Sequence, residues 1–191
     1  MNFTEFKLNA QILSGVKELG YETATPIQEK AIPSILAGLD VVGTAQTGTG
    51  KTAAFALPLL QRLMDGPRGQ LRGLILAPTR ELAEQIRQSI DRLAIRTGLR
   101  CTAIYGGANL VKQYQILRRG VDIVIACPGR LLDHINRGNI NLTQVEVLVL
   151  DEADHMFDLG FREPIYKIIR HLPKKRQNLL FSATMSKEIR V

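Results

Sequence analysis

Apolar residues along this chain follow two alternating patterns, short continuous runs and longer stretches with helical spacing. The continuous runs, about four residues each, are typical of strands that a sheet buries on both faces. Between them, apolar residues recur every three or four positions, which is the spacing of an amphipathic helix. The runs predict strands at residues 40–44, 74–77, 102–105, 123–126, 147–150 and 179–181.

The helical stretches fall before and between these strands, and the first two carry clear end signals. Gly20 and Gly38 end them, and Thr25 caps the second, where a proline takes the first helical position. Strands that alternate with helices predict an α/β fold with a parallel sheet covered on both faces. Helices are predicted at residues 9–19, 26–37, 50–64, 81–97, 109–119, 130–137 and 161–171.

Length and composition are those of one globular domain, with 191 residues of which 45% are hydrophobic. No apolar run approaches the roughly 20 residues of a membrane span, and the first residues lack a signal-peptide pattern. We therefore expect a cytoplasmic protein without membrane contact. The net charge of +7 permits a polyanionic partner without indicating one. We interpret Cys101 and Cys127 as buried, reduced thiols because both fall in apolar, strand-like runs.

A glycine-rich loop over residues 45–52 carries the strongest chemical signal. Its sequence, Ala-Gln-Thr-Gly-Thr-Gly-Lys-Thr, lies between a predicted strand and a predicted helix, as a phosphate-binding P-loop does. Gly48 and Gly50 permit positive φ and bring backbone N–H groups close to an anion. Lys51 suits the β- and γ-phosphates of a nucleotide, and the Thr52 hydroxyl suits Mg²⁺. The alternative, an ordinary glycine turn before a helix, does not require the preceding strand.

Acidic residues follow the strand predicted at 147–150. Asp151 can hold Mg²⁺ through its water shell, and Glu152 can polarise an attacking water. The alternative is a solvated acidic helix N-terminus, which the helix dipole also favours. Ser182 and Thr184 follow the last predicted strand, where their hydroxyls can bond a carboxylate such as Asp154 or simply cap a helix.

Three further strand ends carry small residues, helix starts and arginines. They are Pro-Thr-Arg-Glu at 78–81, Gly-Gly at 106–107 and Cys-Pro-Gly-Arg at 127–130. Any one of them could be an ordinary turn, but three on one sheet edge favour contact with a nucleic-acid backbone. No aromatic stripe accompanies them, so base stacking and strong sequence specificity are not indicated.

These motifs together resemble the first RecA-like domain of a bacterial-type DEAD-box ATP-dependent RNA helicase, over essentially the whole chain. Cys127 departs from the family pattern, which usually has threonine there, and a thiol is a weaker donor than a hydroxyl. The matching motifs are the Q motif at 20–28 with Phe3 upstream, motif I at 45–52, motif Ia at 78–83, the GG motif at 106–107, Asp-Glu-Ala-Asp at 151–154 and motif III at 182–184.

The resemblance implies a RecA-like three-layer sandwich with a mainly parallel sheet, in which the Ser182 strand lies between the P-loop strand and the Asp151 strand. It divides the chain into a Q-motif helical region at 1–38 and a P-loop core at 39–191. It also implies that Tyr21 stacks on adenine and that Gln28 pairs with the adenine edge, which selects ATP over GTP.

By the same resemblance, ATP and Mg²⁺ are the cofactors, and each predicted site residue has a role. The catalytic residues are expected to be Lys51, Asp151 and Glu152, and the residues that hold the metal are expected to be Thr52 and Asp151. Nucleotide contacts fall to Phe3, Tyr21, Gln28, Ala45, Gln46, Thr47, Gly48, Thr49, Gly50, Lys51 and Thr52. RNA contacts fall to Pro78, Thr79, Arg80, Gly106, Gly107, Cys127, Pro128, Gly129 and Arg130. Coupling between nucleotide and RNA falls to Asp154, Ser182 and Thr184.

The family's second RecA-like domain is the expected partner, together with RNA, and it supplies the arginine fingers. A helix is predicted to begin at residues 186–188, so we interpret Val191 as a truncation point. Alone, the domain is expected to be a monomer that binds nucleotide and hydrolyses it negligibly. Two alternatives are a P-loop ATPase acting on DNA or protein and a non-catalytic binding module. ATPase assays with RNA, DNA or neither distinguish them.

Overall fold

The computed structural model describes residues 1–46 and 48–184, and a short 3-10 helix at Phe3–Phe6 precedes the main elements. In chain order these are α1 (Ala10–Glu18), α2 (Pro26–Leu36), β1 (Val41–Thr44), α3 (Lys51–Met64), β2 (Gly73–Leu76), α4 (Arg80–Leu93), β3 (Cys101–Ile104), α5 (Leu110–Arg118), β4 (Ile123–Ala126), α6 (Pro128–Asn136), β5 (Val147–Leu150), α7 (Ala153–Asp158), α8 (Arg162–Arg170) and β6 (Gln177–Ser182).

The strands form one parallel sheet in the order β1-β6-β5-β2-β4-β3. This confirms the predicted α/β fold, and β6 lies between β1 and β5 as the resemblance implied. Because every strand points the same way, all the carboxyl ends meet at one edge of the sheet. The glycine-rich loop, the acidic residues and the three arginine- or glycine-bearing turns therefore share that edge.

Helices cover both faces of the sheet and give it two hydrophobic cores. Alternate residues of β2 show the division. Ile75 packs into a core shared with α1 to α4, and Leu74 and Leu76 pack into a core shared with α6, α7 and α8. The strands are consequently apolar on both sides, which is why the sequence shows continuous apolar runs instead of alternation.

Three sequence predictions differ from the structure. The run at 40–44 suggested a buried strand, yet β1 is an edge strand with Val42 59% exposed, since it pairs only with β6 among the described strands. The helix predicted to reach residue 97 ends at Leu93, because the Thr97 hydroxyl bonds Ala94 O at 2.8 Å and Gly98 turns the chain at φ 71°. Helix α7 was missed because its six residues are too few to show a period.

Three further sequence predictions concern membrane spans, the two cysteines and a helix near the end of the chain. Within the described residues, no helix is both long and apolar enough to cross a bilayer. Cys101 and Cys127 are free thiols, partly rather than fully buried. The helix predicted at 186–188 lies outside the described residues.

Helix α2 and the turn after it are hydrogen-bonded to the sheet. The buried Gln177 amide of β6 donates to two carbonyl oxygens at the end of α2, Ile35 O at 3.0 Å and Leu39 O at 2.6 Å. Helix α2 also shares the core around α3, where Ile32 and Phe55 are fully buried. The residues that precede the glycine-rich loop are therefore held against it.

Candidate nucleotide and nucleic-acid site

The strand order divides the carboxyl edge of the sheet into two halves. The loops after β1, β6 and β5 are neighbours and carry the glycine-rich loop, Ser182 and Asp151. The loops after β2, β4 and β3 follow and carry the motifs at 78–81, 127–130 and 106–107. The predicted nucleotide residues thus form one half of the edge and most of the predicted RNA residues form the other.

Both glycines of the phosphate-binding loop adopt positive φ, as predicted, with Gly48 at 84° and Gly50 at 89°. Lys51 is buried at the start of α3, and its Nζ donates one hydrogen bond to Ala45 O at 3.0 Å. A buried ammonium group at the start of a helix suits a phosphate oxygen. Thr49 Oγ1 bonds Gln46 O at 2.7 Å and narrows the loop, while Thr47 lies outside the described residues.

Gln28 of α2 is buried against the same loop. Its Oε1 accepts a hydrogen bond from Thr25 N at 2.9 Å, and its Nε2 donates to Gly50 O at 3.1 Å. An amide has two lone pairs and two N–H groups, so these two bonds use one of each and leave one of each on this 4%-exposed side chain. A Cβ atom at position 50 would lie 2.4 Å from Gln28 Nε2. The Gln28 side chain can therefore approach the loop this closely because residue 50 is glycine.

An open cavity of about 370 Å³ lies in front of Gly48, Gly50 and Lys51, within the size range of small-ligand sites. Tyr21 is 41% exposed at its rim, and the ring of Phe3 stacks behind it at 6.1 Å. Phe3 itself is buried, so it supports the tyrosine ring from the core. The cavity is lined by Tyr21, Gly48, Gly50, Lys51, Thr52, Ala53, Leu82, Gln85, Ser89, Asp151 and Glu152.

Asp151 and Glu152 reach the cavity from the end of β5. Burial raises the pKa of Asp151 to about 6, with Lys51 opposing the rise and Glu152 and Asp154 adding to it. Glu152 has a left-handed backbone at φ 51°, and its N–H donates to Asp151 Oδ1 at 3.0 Å. Such backbone strain in a residue other than glycine clusters at functional sites.

Asp154 connects the acidic residues to the end of β6. Its Oδ2 accepts hydrogen bonds from both the backbone N–H and the hydroxyl of Thr184, each at 2.9 Å. Ser182 Oγ in turn accepts from Asp154 N at 3.3 Å. Burial opposes ionisation of Asp154, but hydrogen bonds to its carboxylate from Ser182, Thr184 and the His155 N–H lower its pKa overall. The contact between a hydroxyl residue and Asp154 that the sequence predicted is present.

On the other half of the edge, Arg80 and the glycine turn lie together. Arg80 is exposed and bonds Glu81 at 2.5 Å, and a Cβ atom at Gly107 would lie 3.9 Å from the Arg80 guanidinium. Thr79 caps α4 by accepting from Leu82 N at 3.2 Å, and Pro78 is buried behind it. The exposed surface here therefore includes the Arg80–Glu81 ion pair and the two glycines.

The start of α6 differs from the sequence prediction in one respect. Gly129 is exposed on its first turn, and Pro128 is buried. Burial raises the pKa of the Cys127 thiol to about 11, so this residue stays neutral. The Arg130 side chain, however, is only 12% exposed, and its guanidinium bonds Ala108 O and Gln113 Oε1. The geometry favours a structural role for that group over direct contact with a phosphate.

Sequence reasoning missed two buried residues on this half of the edge, Gln113, which bonds Arg130, and His134, which bonds Gln113. A signal was present, because Gln113 lies three residues after Leu110 and four before Leu117. It is a polar residue on the apolar face of its helix, where an unpartnered amide would be unfavourable.

A DEAD/DEAH box helicase family profile matches residues 25–190, and the chain belongs to that family. It is 48% identical over 188 residues to the ATP-dependent RNA helicase CshA of Listeria monocytogenes, covering 98% of this chain and 36% of that protein. It is 47% identical over 190 residues to the CshA of Limosilactobacillus reuteri, covering 100% of this chain and 38% of the relative. The ATP-dependent rRNA helicase rrp3 of Emericella nidulans is 48% identical over 189 residues, covering 98% and 40%. The chain thus spans little more than a third of the length of these relatives.

Proposed function

We propose that this chain is the ATP-binding half of an ATP-dependent RNA helicase, and that it binds ATP–Mg²⁺ and the RNA backbone at adjacent halves of one sheet edge. The observation that carries the proposal is the strand order. It sets the phosphate loop, Asp151 and the Asp154–Thr184 contact beside the exposed arginine and glycines of the other half.

In the nucleotide half, Tyr21 would stack on the base and the free donor and acceptor of Gln28 would pair with the adenine edge. Lys51 would exchange Ala45 O for phosphate oxygens. The Thr52 hydroxyl and the Asp151 carboxylate would hold Mg²⁺, which commonly uses one or two carboxylates and keeps several waters. A Mg²⁺ ion held there would supply positive charge to the nucleotide phosphates. Glu152 would accept the proton of the attacking water.

In the RNA half, the groups available are a charge, two flexible glycines and helix starts. Arg80 supplies the exposed guanidinium, and Gly107 approaches it closely. The first turn of α6 offers exposed backbone at Gly129. Such groups bind phosphates and sugars without distinguishing bases, so RNA binding would depend on salt and hardly on sequence.

A second RecA-like domain would complete both halves in a longer protein. Arginine fingers stabilise the charge of the transferred phosphoryl group, and their contribution in related NTPases is on the order of 10³–10⁵ in rate. The relatives that this chain matches are nearly three times its length, which leaves room for such a domain in them. Hydrolysis coupled to RNA unwinding would then require both domains.

The test is phosphate release by this chain joined to a second RecA-like domain, with ATP or GTP and with RNA, DNA or no nucleic acid. We expect turnover with ATP that RNA stimulates and DNA does not. Equal stimulation by DNA would instead identify a P-loop ATPase acting on DNA. Tight ATP–Mg²⁺ binding without turnover under any condition would identify a binding module.

A further inference from the structure

Helix α5 contacts the domain through the partly buried Leu117, which packs against the core, and through one buried polar residue. Of its nine residues, all within the described part of the chain, Gln113 alone is buried, whereas Val111 is 59% exposed. The Gln113 amide donates to Tyr105 O at 3.1 Å, at the start of the glycine turn. The helix that follows the turn is therefore fixed by a hydrogen bond back to the residue that precedes it.

Two residues of α6 bond the same amide from the other side. Arg130 Nη1 donates to Gln113 Oε1 at 3.0 Å and to Ala108 O at 2.9 Å. His134, fully buried, lies with Nε2 at 3.2 Å from Gln113 Oε1. Arg130, Gln113 and the backbone at Tyr105 and Ala108 thus enclose the glycine loop, residues 106–108, from behind.

The hydrogen bonds determine which proton His134 carries. Asn139 Nδ2 lies 3.4 Å from His134 Nδ1, and an amide nitrogen can only donate, so Nδ1 is the acceptor. Nε2 then carries the proton and donates to Gln113. Burial and the nearby Arg130 lower the pKa of His134, which keeps the ring neutral in this tautomer, with Asp133 opposing and Arg137 assisting.

We propose that Gln113, Arg130 and His134 form a clamp that holds the glycine loop in the shape that binds an RNA backbone, with Arg130 acting as a positioning residue and not as a phosphate ligand. The proposal rests on the function proposed above. It is supported by the loop itself, since Gly106 and Gly107 are exposed and a Cβ at Gly106 would meet no atom within 4 Å. A loop with so little packing needs hydrogen bonds at its ends to stay ordered.

Salt dependence distinguishes a clamp from a phosphate ligand. Removing a cation that neutralises one phosphate lowers the slope of log K against log[salt] by about 0.7 on single strands. RNA affinity of the 191-residue chain is therefore measured over a salt series for Arg80→Gln, Arg130→Gln and Gln113→Leu. Gln115→Leu, on the exposed face of α5, is the matched control.

We expect Arg80→Gln to reduce the slope by about 0.7. Arg130→Gln and Gln113→Leu should each weaken binding roughly tenfold at every salt concentration with the slope unchanged, as expected for loss of a buried hydrogen bond. The double variant should be hardly weaker than either single one, because both act through one network. The control should bind as the original chain does.

A reduced slope for Arg130→Gln, with Gln113→Leu binding normally, would overturn the proposal and make Arg130 a phosphate ligand. NMR order parameters of Gly106 and Gly107 provide a second readout that needs no RNA, and they should fall in both clamp variants but not in the control. Unchanged order parameters would refute the clamp. Absence of RNA binding by the original chain would refute the RNA site instead.

Discussion

The side-chain amide of Gln28 donates a hydrogen bond to the backbone carbonyl of Gly50 at 3.1 Å, and so joins α2 to the phosphate-binding loop. The two residues are 22 positions apart in the chain. A residue proposed to pair with the base is thereby connected directly to the loop proposed to hold the phosphates. A substitution at either position should therefore affect binding of both the base and the phosphates.

Gln28→Ala should reduce the preference for ATP over GTP more than it weakens phosphate binding, because a site built to pair with a base edge loses discrimination when the pairing group is removed. The variant also removes the acceptor for Thr25 N and one of the two donors to Gly50 O, which still accepts from Ala54 N at 3.2 Å, and this should lower the free energy of unfolding by roughly 1–3 kcal/mol. Nucleotide competition and thermal melts measure the two effects.

Gln28→Glu, which keeps an acceptor for Thr25 N but lacks the donor to Gly50 O, is the matched variant. Equal affinity of the original chain for ATP and GTP would contradict base pairing by Gln28.

Lys51→Ala should abolish measurable ADP binding, since the buried ammonium group is the nearest charge for the phosphates. ADP at 100 times its Kd should stabilise the original chain by about 2.7 kcal/mol, or roughly 5–10 °C in Tm. We expect no such rise for Lys51→Ala and a normal rise for Lys17→Ala, an exposed lysine on α1. Survival of the ligand-induced rise in Lys51→Ala would exclude Lys51 from the phosphate site.

Asp151 should make stability depend on pH in metal-free buffer. A carboxyl whose pKa is higher in the folded chain favours folding while it is protonated, and this contribution is lost as pH rises through the folded pKa. Since burial raises the pKa of Asp151 from 3.8 to about 6, Asp151→Asn should match the original chain near pH 4 and become more stable above pH 6. The difference should not exceed about 3 kcal/mol.

Urea unfolding between pH 4 and 8, with a chelator present, measures this difference. Asp158→Asn, an exposed aspartate at the end of α7, serves as the control. A difference between Asp151→Asn and the original chain that stays constant across this range would contradict the raised pKa.

Residues 1–191 alone should bind ATP–Mg²⁺ but hydrolyse it negligibly even with saturating RNA. Asp151 and Glu152 can position the metal and the water, but the open cavity leaves the γ-phosphate in solvent, where electrostatic contacts are weaker. Joining a second RecA-like domain should give RNA-stimulated phosphate release. Glu152→Gln in that longer protein should keep ATP and RNA binding and stop turnover, because an amide cannot accept the proton of water.

The exposed Glu163→Gln on α8 is the control for the Glu152 variant and should retain turnover. RNA-stimulated hydrolysis by residues 1–191 alone, at rates near those of the two-domain protein, would contradict the division of the catalytic groups between two domains.

Much of the fold follows from short-range pattern. Continuous apolar runs predicted all six strands, because a strand buried on both faces needs apolar side chains on both. The parallel direction followed from the helices between them, and the positive φ of Gly48 and Gly50 followed from residue type. The end of α4 was predicted wrongly, because the Thr97 hydroxyl bonds its own turn and this does not show in the spacing of apolar residues. Helix α7 was missed because six residues make fewer than two turns, which is too short for a helical spacing of apolar residues.

The sequence by itself determined which chemical groups follow each strand, because residue type and local periodicity are properties of neighbouring positions. Only the tertiary structure decided which of those groups meet. It placed β1 at the sheet edge with Val42 exposed, and it buried the Arg130 side chain against Gln113. The physical reason is that burial and hydrogen bonding depend on partners from distant parts of the chain. An arginine that looks available for phosphate in the sequence is instead desolvated by a helix that begins 20 residues earlier.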